Sequence, residues 1–260
     1  GCGTTESAQS TQENATTIAE TFDFAAVPAY DGKAYVAVND NVPFFTEEEL
    51  SSASYETYGE LDPLGRCTVC VASVGQDLMP AEERGNIGAV KPTGWHTVKY
   101  DFVDGKYLYN RCHLIGYQLT GENANEKNLI TGTRYLNIEG MLPFENMVAD
   151  YVKETDQHVM YRVTPVFEGD NLLAAGVLME GKSVEDNGEG VLFCVFAYNV
   201  QPGVSIDYAT GESSADGTIV NDTSAQEETK QFTSTSVQQE ETQQSAETQS
   251  MKIVTGLSYK

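Results

Sequence analysis

The stretch "YNRCHLIGYQLTGENANEKNLITGTRYLN", residues 109–137, sets one of the chain's three histidines, His113, among carboxamides, an arginine and a cysteine. That mixture has a chemical reading. Hydrolysing a phosphodiester needs a base for the attacking water and positive charge for the oxyanion that forms. A histidine, with an ordinary pKa of about 6.5, is largely neutral at pH 7 and can accept the proton. Magnesium prefers oxygen ligands and keeps most of its waters, so one or two neutral amide oxygens suffice to hold it. His113 reads as the base, and the asparagines of "NANEKNLITGTRYLN" as candidate ligands.

The chain around this stretch is acidic, with a formal net charge of -24 over 260 residues. Three acids in residues 1–21, and seven acids against three lysines in 213–260, leave -17 for residues 22–212. The expected globular part is therefore acidic itself, which argues against a broad basic face for nucleic acid or anionic membrane. Any polyanion must be held locally, by a small basic patch or a metal ion. No run approaches the roughly 20 apolar residues that span a bilayer.

The ends differ from the middle. "GCGTTESAQSTQENATT" puts Cys2 before a polar Ser/Thr/Gln-rich run, and resembles a mature bacterial lipoprotein with a lipidated cysteine and a flexible tether. The plainer reading is a free cysteine in a tail. Residues 1–21 are expected to be a disordered tether. Residues 213–260, rich in Ser, Thr, Gln and Glu, have too little apolar area to offset chain entropy and are expected to be a mostly disordered acidic tail. One domain, 22–212, lies between.

Within it, "KAYVAVN" alternates as a strand, and "TEEELS" gives a threonine before three acids, a helix start with a solvated face. "RCTVCVASVG" is a buried strand, in which Cys67 and Cys70 read as small core residues, not metal ligands. Disulfide pairing among Cys67, Cys70, Cys112 and Cys194 stays open. "HTVKYDFVDGKYLYN" predicts a hairpin turning at Asp104-Gly105. "MLPFENMVADYVKET" places Met147, Val148, Tyr151 and Val152 at helical spacing, with Pro143 at the start. "HVMYRVTPVFEG", "LLAAGVLMEGKSV" and "GVLFCVFAYNVQPGVSIDY" read as three more strands, and "VEDNGEG" as a hairpin turn. Strands, one helix on the central motif, then strands again give an α+β fold with a central antiparallel sheet. His96 is expected to be structural, His158 exposed, and Asn123 and Asn125 turn residues.

Residues 109–146 resemble the DNA/RNA non-specific endonucleases of the ββα-metal (His-Me finger) superfamily, closest to the bacterial DNA-entry nuclease branch. "NRCH" stands at that family's D-R-G-H motif, "KNLITGTRYLN" at the stretch ending in its metal asparagine, and "FENMVADYV" at its glutamate-bearing helix. The likeness extends through "LDPLGRC", "KPTGWH", "YRVTPVF" and "VQPGVSIDYATGE", covering about residues 25–212. It implies two strands delivering His113 and a crossing helix delivering Asn137. His113 would be the general base and Asn137 the direct ligand of a single Mg2+, with Mn2+ able to substitute. Glu145 would hold water of the metal, Asn128 would shape the metal loop, and Arg111 would grip the phosphate, with Arg134 and Arg162 assisting. Two positions depart from the motif, Asn110 for aspartate and Cys112 for glycine.

The resemblance implies an exported, lipid-anchored enzyme that cuts DNA, and RNA, through backbone contacts with little sequence preference. The alternative is a surface lipoprotein that keeps the fold and binds nucleic acid or another ligand without cutting it.

Overall fold

Along four of the chain's strands every second side chain is apolar and points the same way, and this pattern builds the main sheet. The computed structural model describes residues 22–219. The expected lipidation site Cys2, the tether and most of the C-terminal tail lie outside the described residues. The strands are β1 (Tyr35–Ala37), β2 (Tyr55–Tyr58), β3 (Cys70–Val74), β4 (Tyr109–His113), β5 (Leu129–Thr133), β6 (Val159–Val166), β7 (Gly176–Ser183), β8 (Leu192–Tyr198), β9 (Val204–Ile206) and β10 (Ser213–Ala215). The helices are α1, a single turn over Tyr117–Thr120, and α2 (Leu142–Thr155). Six strands form an antiparallel sheet in the order β1-β8-β7-β6-β3-β2. β4 and β5 form a separate two-stranded ribbon, as do β9 and β10. The structure is α+β with a large antiparallel sheet, as expected.

One face of the sheet carries Ala72, Val74, Tyr161, Val163, Met179, Phe193 and Val195, all buried in the largest core cluster. Against it lies α2, which buries Phe144, Val148 and Val152 at a spacing of four, with Glu145 and Ala149 beside them. Each such apolar side chain contributes roughly 1.5–3 kcal/mol when removed from water. The expected stripe was partly displaced: Val148 and Val152 are buried, but Met147 faces solvent. Pro143 sits at the start of α2, where no intrahelical donor is needed, and Asp156 ends it in a left-handed conformation with its N–H on the Val152 carbonyl.

Two sequence expectations need correction. The segment after His96 turns near Gly105, but its arms join only at the Lys99–Tyr107 bridge and do not form a regular hairpin. The domain also continues beyond residue 212, because Ser213–Ala215 pair with Val204–Ile206.

Candidate active site

β4 and β5 pair in strict register from Tyr109↔Thr133 to His113↔Leu129. Alternation sends Tyr109, Arg111 and His113 to one face of the ribbon, and Asn110 and Cys112 to the other. Buried Asn199, at the end of β8, bolts the ribbon to the main sheet. Its Oδ1 accepts the Thr133 N–H at 2.9 Å, and its Nδ2 donates to the carbonyls of Thr131 and Ala174. Nothing in the residues around Asn199 marks it for this role.

The chain leaving β4 is held by Asn128. Its Oδ1 accepts the Ile115 N–H at 2.8 Å, its Nδ2 donates to the Ile115 carbonyl at 3.0 Å, and its own carbonyl accepts the Leu114 N–H. Asn128 therefore fixes the two residues that follow His113.

His113 is almost wholly buried at the end of β4. Its Nε2 lies 3.1 Å from the Asn123 carbonyl. A carbonyl only accepts, so Nε2 carries the hydrogen, and the lone pair of the neutral ring is on Nδ1. Burial, then the positive charge of Arg84, lower its pKa to about 4, while the Asn123 and Glu122 carbonyls pull weakly the other way. His113 is therefore neutral at pH 7. Asn123 acts through its backbone, and its side chain accepts the Gly85 N–H, while Asn125 caps the turn at Glu126–Asn128. Asn125 is a turn residue, as expected, whereas Asn123 lies in irregular chain before it.

On the other face, Asn137 sits in a π-helical stretch, Leu136–Met141, that runs directly into α2. Its Nδ2 donates to Asn110 Oδ1 at 3.2 Å, and its Oδ1 accepts from the Cys112 thiol at 3.4 Å. Asn110 Oδ1 also accepts from Arg134 Nη1 at 3.4 Å. The amide of Asn137 is thus oriented, with its oxygen kept as the acceptor end. Cys112 fits where glycine was expected because Gly132 stands beside it: a Cβ at 132 would lie 2.7 Å from Cys112 Cβ.

Glu145 enters the same region from the first turn of α2, where a carboxylate suits the helix dipole. It is buried, and its carboxylate lies so close to Gly116 that a Cβ there would be 3.1–3.3 Å from it. In an unbroken α-helix, eight residues overshoot two turns by about 80°. The π turn between Asn137 and Glu145 takes up about one more residue than an α turn, which brings the two nearly into line.

Arg111 lies in the ribbon's other face. Its guanidinium stacks 4.1 Å from the centre of the Trp95 ring, and Nε donates to the Val90 carbonyl. Arg134 is buried, and its contacts are with Asp104 and Asn110. It braces the asparagine pair and does not reach outward as a phosphate contact. Arg162 is corrected more strongly. It lies on the sheet face away from α2, 1% exposed, with Nε and Nη2 on the Glu180 carboxylate at 2.7 and 2.9 Å and Nη1 on Glu49 at 2.8 Å. It is a structural ion pair. Glu49 correspondingly is not part of a purely solvated face.

Among the described residues no disulfide joins Cys67, Cys70, Cys112 or Cys194, and burial pushes the Cys67 and Cys194 thiols up to about 12. His96 bonds the Thr210 carbonyl and is structural. His158 is not simply exposed: its Nε2 is 3.0 Å from Ser54 Oγ and its Nδ1 3.1 Å from Glu185. This outlines a nucleophile–base pair, but Ser54 gives its proton to Asp77 at 2.5 Å, so its hydroxyl is not poised to attack.

Among the described residues no group of three His, Cys, Asp or Glu side chains forms a metal cage. The donors present suit a different ion. One oriented amide oxygen and one nearby carboxylate fit a hard cation that keeps most of its waters. The wholly buried Tyr161 hydroxyl adds to this fit. It has no hydrogen-bond partner among the described residues, and its pKa is pushed well above the usual range by burial, then by Glu145 and Cys112. A polar atom so placed calls for a water or an ion's hydration shell.

A histidine-bearing antiparallel ribbon, followed by a helix that carries an asparagine and a glutamate, defines the ββα class of nuclease folds. The model of the DNA/RNA non-specific endonuclease family matches residues 47–185, and the chain belongs to that family. A deoxyribonuclease from Streptococcus dysgalactiae subsp. equisimilis is 32% identical over 111 residues, 40% of this chain and 32% of that protein. The match thus spans about a third of that relative's length. NucA from Streptococcus agalactiae, solved with a magnesium ion bound, superposes with a TM-score of 0.64 at 24% identity, over 82% of this chain and 97% of that one. Sda1 nuclease with bound zinc superposes with a TM-score of 0.58 at 23% identity, over 70% and 97%. At these identities the superpositions establish the fold.

Proposed function

We propose that this protein is a magnesium-dependent endonuclease that hydrolyses phosphodiester bonds of DNA, and of RNA, with little sequence preference. The observation that carries this reading is His113: a buried, neutral imidazole with its tautomer set by the Asn123 carbonyl. Nδ1 takes a proton from water as the oxygen attacks phosphorus, and the imidazolium that forms keeps its Nε2–H on Asn123. The P–O bond to the leaving oxygen breaks, and solvent protonates that oxygen. Arg111 grips the phosphate by charge-assisted hydrogen bonds. Asn137 Oδ1, with Glu145 behind it toward the hydration shell, would hold Mg2+, or Mn2+ in its place, which supplies positive charge for the developing oxyanion. Asn110 and Arg134 orient Asn137, and Asn128 holds the chain beside His113.

The -17 charge of residues 22–212 makes binding outside the site weak, so recognition is local and runs through the phosphate backbone. Export and anchoring through a lipid on Cys2 complete the proposal. The rival reading, a lipoprotein that binds without cutting, rests on the Asn110 and Cys112 departures and on the -17 charge of residues 22–212. Asn110 and Cys112 have a geometric place beside Asn137, and the charge is compatible with local binding, so neither favours it.

The test is plasmid cleavage with magnesium, with EDTA, and by His113→Ala. Cleavage by the wild type with magnesium alone supports the proposal. Failure of the folded wild type across divalent metals and salt concentrations would sink it.

A further inference from the structure

The segment "KPTGWH", residues 91–96, takes no part in the chemistry above, yet it is pinned over the ribbon face that carries Arg111. Thr131, the cross-strand partner of Arg111, donates its hydroxyl to the Thr93 carbonyl at 2.9 Å. Thr93 in turn donates to the Leu172 carbonyl at 2.6 Å, and the Trp95 N–H bonds the Pro92 carbonyl. The Trp95 side chain packs against the cluster of buried Leu108, Tyr109 and Leu173. The indole is thereby held in place, and a face of its ring carries the Arg111 guanidinium at 4.1 Å. The Val90 carbonyl, from the same segment's approach, takes the Nε hydrogen.

We propose that Trp95 is the positioning residue for Arg111. The indole face and the Val90 carbonyl hold the guanidinium in one plane, so the phosphate meets a fork that is already aligned. An arginine held only by its own stem has to lose rotamer freedom when it grips a phosphate. The stack removes that loss before substrate arrives. Tryptophan is the strongest aromatic partner for a cation, and its flat face matches a planar guanidinium better than it would an ammonium. The inference rests on the nuclease reading, since it gives Arg111 the phosphate.

Trp95 is the only tryptophan in the chain, so its emission reports this contact without any turnover. In the absence of substrate, Arg111→Ala shifts or brightens that emission relative to wild type. Unchanged emission overturns the stack. The second readout is a double-mutant cycle in plasmid cleavage. Trp95→Leu lowers kcat/KM about five- to tenfold when Arg111 is present and less than about twofold when Arg111 is already alanine. Trp95→Phe, which keeps a π face, recovers most of the loss. Equal losses for Trp95→Leu in both backgrounds overturn the proposal, because a merely structural tryptophan acts independently of Arg111. If Trp95→Leu fails to fold, Trp95→Met, which also lacks a π face, carries the cycle in the same two backgrounds. A wild type that never cleaves fails the nuclease reading instead, and the emission measurement still judges the stack.

Discussion

Asn137 Nδ2 donates to Asn110 Oδ1 at 3.2 Å, and this bond decides which end of the Asn137 amide is presented as an acceptor. An aspartate at 110 would do the same with a stronger acceptor. Asparagine serves because only one oxygen is used, and Arg134 Nη1 supports that oxygen from the other side.

Removing the acceptor leaves the Asn137 amide free to rotate. Asn110→Ala is expected to weaken Mg2+ binding by about 10- to 100-fold, the usual effect of losing a group that orients a ligand. Asn110→Asp binds at least as tightly as wild type. Calorimetric titration with Mg2+ checks both, and unchanged affinity in the alanine variant would remove Asn110 from the site.

His113 titrates at about 4 in the folded protein, against about 6.5 in an unfolded chain. The unfolded state therefore binds more protons between these values, and stability contributed by the neutral ring is lost as pH falls from 6.5 toward 4. The acid limb of kcat/KM should lie well below 6.5. Arg84→Ala removes a like charge and is expected to move that limb upward. A limb at or above 6.5 in the wild type, unmoved by Arg84→Ala, contradicts this account of the base.

Gly132→Ala forces a Cβ to within 2.7 Å of Cys112 Cβ, and neither atom belongs to a flexible side-chain end. Overpacking of this kind costs about 1–3 kcal/mol. The loss should appear as a lower thermal midpoint, and Cys112→Gly in the same chain should restore most of it. Additive losses in the double variant would show that the two positions do not share one space.

Arg162→Met leaves Glu180 and Glu49 without their cation, and breaking a buried pair costs about 3–5 kcal/mol. Because Arg162 faces away from α2, KM for DNA per folded molecule should stay within about twofold of wild type. A large rise in KM with intact folding would restore Arg162 to the substrate.

The groups proposed to carry the chemistry are legible because their residue types are sparse. One histidine in an amide-rich stretch, with Asn137 and Glu145 eight residues apart, marks the proposed site in the chain. The phase of that spacing was not legible, since it depends on a π turn that no periodicity reveals. Arginines were least legible. Arg111, Arg134 and Arg162 look alike in sequence, yet one stacks on an indole, one braces an amide and one closes a buried ion pair on the far face. Which role each plays is set by strand alternation and by partners distant in the chain, such as Glu180 and Val90. The ribbon's anchor, Asn199, was silent for the same reason: its three bonds reach residues 25 to 68 positions away.

The space shared by Cys112 and Gly132 also orders the substitutions that can reach this sequence. With glycine at 112, position 132 is open to either glycine or a small side chain. A side chain at 112 becomes tolerable only once 132 is bare, and from then on 132 can no longer change alone. The arrangement works as a ratchet: a path through Gly132 leads to Cys112 directly, whereas placing Cys112 while alanine still stands at 132 crosses a destabilised intermediate.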